Sequence, residues 1–160
     1  MPTHDSGYLQ IILLLVFVAI GVLFILTQQN TLKAVKPENR LMKPGLVWLQ
    51  LIPLFGQIWQ FWVISRIAGS LKKERTSFRE DSIVGLSDYS AAEQWGKRPT
   101  YAMGLTYSIL LWCNVLIEFR TMDHEFEEIH GLIALGMMIC WIIYWVQLAV
   151  IKKKIVRLAV

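Results

Sequence analysis

The chain has 160 residues, 55% of them apolar, and a formal net charge of +4. A soluble domain spreads its apolar residues in amphipathic patterns; here they stand in long blocks, which argues against an ordinary soluble fold and for one all-α membrane domain over residues 1–160. The basic excess does not point to nucleic acid: no basic helix with interleaved aromatics is present, and Lys and Arg flanking membrane segments account for the charge.

The first apolar run is residues 11–26, IILLLVFVAIGVLFIL. With its flanks it covers about residues 8–27, some 20 residues or about 30 Å as a helix, enough to span. Residues 1–7 carry no Lys or Arg, and no small-x-small site follows the run, so it is expected to stay as an anchor. Next comes QQNTLKAVKPENRLMKPG, whose two prolines and terminal glycine predict a loop or a short interfacial helix. Arg40 and Lys43 beside those prolines form a basic turn at headgroup level. It is either flanking charge that sets topology or a contact for anionic lipid or a partner's carboxylate.

The second segment, about residues 46–66, is ambiguous. It is long and apolar enough to cross, and membrane helices tolerate a proline kink, so length prefers a kinked span. Yet Pro53 stands in its middle, and the residue before a proline is pushed out of helical geometry. Charge also bears on the choice. If the segment crosses, eleven Lys and Arg share a side and five lie opposite; if it dips and returns, the split is fifteen to one, with only Arg120 opposite. Either way the positive-inside rule predicts that the 67–99 loop and the C-terminus are cytoplasmic and the 120–128 loop is outside. Within the 67–99 loop, Ser90 and Glu93 are spaced as a capping box.

The third and fourth apolar runs, about residues 101–119 and 129–151, are long enough to span and are predicted to form an antiparallel hairpin. The expected architecture is therefore a four-segment helical membrane bundle, its second helix broken at Pro53.

Polar residues inside these runs are the candidates for function. Gln50 and Gln57 are seven apart and would share a face of a continuous helix, with Gln60 beside them. They could line a path through a homo-oligomer, or simply bond neighbouring helices. In the outer loop DHEFEEIH, Glu127 and His130 have the i, i+3 spacing of bundle metal ligands, and Glu118 would lie at their level. The remaining ligands of a dinuclear site are lacking, and an acidic outer loop needs no metal, so no metal or other cofactor is expected. A lone His130 does not make a haem site. No lysine falls inside a span, which excludes a retinal Schiff base, and none of the common hydrolase, nucleotide-binding or zinc-protease motifs occurs. Cys113 and Cys140 read as small packing residues, and the tryptophans Trp48, Trp112, Trp141 and Trp145 as interface and packing residues.

Two stretches, residues 32–74 and CWIIYWVQLAVIKKK, resemble small four-helix inner-membrane proteins of Bacteroidetes-type bacteria that form domain-of-unknown-function families. The shared features are Pro37, Asn39 and Arg40, then Pro44 and Gly45, the Ile52–Pro53 break, and Arg66 with Ser70. The resemblance implies a bacterial inner-membrane protein and carries no activity over; the DHEFEEIH loop is not part of it. The functional expectation is a non-enzymatic accessory subunit or scaffold that meets lipid and other membrane subunits. The alternative is a small homo-oligomeric channel or transporter lined by Gln50, Gln57 and Gln60.

Overall fold

The computed structural model describes residues 4–83, 100–120 and 127–158, with side chains for 7–78, 100–117 and 130–157. The capping box at Ser90 and Glu93 and most of the acidic 120–128 loop lie outside these. The described residues form four helices and two 310 turns, with no strand among them. They are α1 (His4–Ala34), the turns Pro37–Asn39 and Pro44–Leu51, α2 (Phe55–Ile83), α3 (Thr100–Arg120) and α4 (Glu127–Leu158). Three helices are long and apolar enough to cross a membrane: Gly7–Ala34, Thr100–Ile117 and His130–Arg157. The chain is thus a multi-pass membrane protein by the length and composition of these helices.

The expectation of a fourth, kinked span over 46–66 is corrected. The stretch is no continuous helix; it reverses. The Trp59 indole N–H donates to the Leu46 carbonyl at 2.9 Å, although on one continuous helix those residues would stand about 20 Å apart along the axis. Further back the Leu41 N–H donates to Ser70 Oγ at 2.9 Å and the Lys36 N–H to a Glu74 carboxylate oxygen at 3.1 Å. Partners that step back on one strand as they step forward on the other define an antiparallel hairpin.

The reversal has a local cause. Ile52, before proline, is extended (φ −73°, ψ 119°), as the proline ring requires. Leu54 then takes φ 61°, the left-handed region that a side chain enters at a cost of about 1–2 kcal/mol. Gly56 follows where a Cβ would stand 2.1 Å from the Gln50 carbonyl oxygen, so only glycine allows the two arms to close. The tip is apolar and open: Leu51, Ile52, Leu54, Phe55 and Ile58 are all exposed.

The helices pack in a consistent sense. Phe24 of α1 meets the rings of Trp141 and Trp145 of α4 at 5.4 and 5.8 Å, and the Trp145 indole donates to Thr27 Oγ1 at 2.8 Å, so α1 and α4 run parallel. α3 runs antiparallel to α2 and α4; at their crossing Gly104 lets Ile64 and Tyr144 approach to 2.8 and 3.0 Å of where a Cβ would be. The core gathers at one end of the molecule, from Phe24, Ile25, Leu32 and Val35 of α1, Val63, Ile64 and Ile67 of α2, and Tyr144, Leu148 and Ile155 of α4. Every described Lys and Arg side chain also belongs to this half, here called the basic end. Cys113 and Cys140 are free and half-buried. Trp141 and Trp145 pack into the core cluster, as does Trp48 at its edge.

Candidate functional site

The basic turn PENRLMKPG is the most constrained polar feature. α1 ends with unpaired carbonyls, as every helix does. Arg40 closes that end: its Nε donates to the Val35 carbonyl at 2.8 Å and Nη2 to the Lys33 carbonyl at 2.9 Å. A guanidinium at a helix C-terminus also meets the favourable end of the helix dipole. Arg40, expected as a lipid or partner contact, is therefore committed to the fold, while Lys43 is exposed.

Opposite this turn α2 presents Glu74, only 1% exposed. Its carboxylate accepts the Lys36 N–H at 3.1 Å and the Asn39 side-chain amide at 2.6 Å. Charge-assisted acceptance of two neutral donors is what makes a buried carboxylate tolerable here. One turn away, Ser70 accepts the Leu41 N–H and donates to the Arg66 carbonyl at 2.7 Å. Reading the sequence singled out Asn39, Arg40 and Ser70 but missed Glu74. Its only local signal was a lone acid among three basic residues, LKKER, which looks like any charged surface helix.

The glutamines separate. The expectation that Gln50 and Gln57 share a helical face fails, because the hairpin turn lies between them. Gln50 Nε2 donates across to Gln28 Oε1 of α1 at 2.5 Å and to the Val47 carbonyl at 3.0 Å. Gln60 points the other way: its Nε2 donates to Ser108 Oγ of α3 at 2.7 Å, and Tyr107 donates to its Oε1 at 3.3 Å. Gln57 is half-buried between them in sequence and shares neither partner set. These bonds tie the hairpin to α1 on one side and to α3 on the other. Gln28 Nε2 and the Tyr144 hydroxyl are buried without a partner among the described residues.

At the far end, His130 Nε2 is hydrogen-bonded to Asn114 Oδ1, joining α3 to α4. The side chains of Glu118 and Glu127, the other two residues of the metal expectation, lie outside the described residues. No group of three metal-ligating side chains occurs among those described.

No protein-family model, curated protein or solved structure matches the chain.

Proposed function

We propose that this protein is a non-enzymatic accessory subunit or scaffold of a larger assembly in a bacterial inner membrane. It crosses three times, and its fourth apolar segment dips in and returns. The exposed apolar tip at 51–58 supports the dip, since such a surface is at home in hydrocarbon. With α1, α3 and α4 crossing, fifteen of the sixteen Lys and Arg fall on one side. The positive-inside rule then makes that side cytoplasmic, with the N-terminus and the 120–128 loop outside. The resemblance to four-helix domain-of-unknown-function proteins belongs to the same reading.

The observation that carries the accessory role is the division of α1. Residues 7–20 are exposed on every face, while residues 24–35 are built into the core. Such an unpartnered half-helix suits packing against helices of another subunit. The channel alternative loses support because Gln50 and Gln60 are spent on different helices rather than lining one path.

The test is photo-crosslinking in native membranes from Leu13 and Phe17, with Ile155 as a buried control. The expected outcome is a covalent adduct with a distinct polypeptide from the first two positions and none from the third. Adducts with lipid alone would overturn the scaffold reading, and solute flux through the purified, reconstituted protein would replace it with the channel.

A further inference from the structure

An open groove of about 350 Å³ lies between the Pro37–Asn39 turn and α2, lined by Asn39, Lys72, Lys73, Thr76 and Ser77. We propose that this groove binds a phosphate-bearing anion, either the headgroup of an anionic phospholipid or a soluble phosphate ester.

The lining has the chemistry for it. Lys72 with Thr76, and Lys73 with Ser77, are each one turn apart, so two ammonium groups and two hydroxyls share one face of α2. Both lysines are exposed and both line the groove. Thr76 donates its proton to the Lys72 carbonyl at 3.0 Å, which leaves Lys72, Lys73, Ser77 and the Asn39 amide as donors. Asn39 is held in place: its backbone N–H bonds the Lys36 carbonyl at 2.9 Å and its side chain bonds Glu74. That bond uses one amide N–H and leaves the second.

Charge balance favours an anion. Glu74 is buried behind Asn39, and the donors recorded on it are neutral, so it is not paired with either lysine. Neither Glu74 nor Glu38 lines the groove. Lys36 is not available to the site, since its ammonium lies 5.2 Å over the Phe78 ring. The groove opens five residues past the end of α1, at the basic end, where a headgroup plane would fall. Its volume is at the low end for ligand pockets, about 300–1,000 Å³, and suits a headgroup rather than a whole lipid.

The experiment titrates detergent-purified full-length protein with short-chain phosphatidylglycerol, glycerol 3-phosphate and short-chain phosphatidylcholine, with binding read by native mass spectrometry and calorimetry. Lys72→Ala/Lys73→Ala should weaken anion binding roughly tenfold or more, as expected for two lysines at a membrane surface. Lys152→Ala/Lys153→Ala/Lys154→Ala, which removes charge from the same end but not from the groove, should leave it within about twofold. Binding of phosphatidylglycerol alone assigns a lipid headgroup; binding of glycerol 3-phosphate as well assigns a soluble ester. Both lysines are exposed on a helix, so unchanged melting checks that the double variant is folded. Equal losses in the two variants, no loss in the first, or equal binding of phosphatidylcholine would overturn the site.

Discussion

The two halves of α1 share one continuous helix and are structurally opposite. Residues 7–20 are almost wholly apolar, whereas residues 21–34 add Thr27, Gln28, Gln29, Asn30, Thr31 and Lys33 to their apolar residues; both are helical, yet the first half touches little of its own chain and the second is the spine of the core. The difference arises from those polar side chains and from what stands beside them. At the basic end the hairpin folds back along α1 and brings polar side chains that bond across helices: Gln50 to Gln28, and Glu74 and Ser70 to the turn that follows α1. At the far end no hairpin reaches, and α3 and α4 pack mainly on each other. In hydrocarbon there is no hydrophobic drive to bring helices together, so close packing and hydrogen bonds decide which surfaces meet. Stability therefore concentrates at one end and leaves the other for lipid or a partner.

That contrast can be broken first with one residue type at two places. Phe24 is 5% exposed and sits among four aromatic rings; Phe24→Ala should cost about 3–5 kcal/mol, read as a lower melting temperature by tryptophan fluorescence in mild detergent. Gly56→Ala comes next. Its methyl group would meet backbone rather than a yielding side chain, so the hairpin must open, at about 3 kcal/mol, and the Trp59–Leu46 bond should be lost. Glu74→Ala strands the Lys36 and Asn39 donors, for about 1–3 kcal/mol. In that variant trypsin should cut readily after Arg40, the one basic residue of the turn not followed by proline; Glu74→Gln, which keeps an acceptor, should protect it better. Gln60→Leu removes the link to Ser108 and Tyr107 and should cost about 1 kcal/mol, while Gln57→Leu, with no such link, should cost less. Phe17→Ala closes the series: at 75% exposure it should stay within about 0.5 kcal/mol in detergent. A large loss there would mean that the outer half of α1 is packed after all.

Much of the plan was legible in advance. Three of the four expected apolar segments fall within helices long and apolar enough to cross a membrane, because transfer of a side chain into hydrocarbon is a local property that sums along a window. Pro53 announced the break. Arg40 announced itself as special but not as a helix cap, since its partners are backbone carbonyls whose freedom depends on where α1 ends. Glu74 was invisible, as its burial depends on a turn more than thirty residues earlier.

The sequence by itself therefore determined the apolar blocks, the point of interruption and the lopsided distribution of Lys and Arg. Only the tertiary structure decided that the interrupted block turns back, and that its glutamines serve two different neighbours. The physical reason is that hydropathy counts residues one at a time. A reversal depends instead on a dihedral at Leu54, on the room left by Gly56, and on bonds such as Leu41 to Ser70 that exist only once the two arms have met.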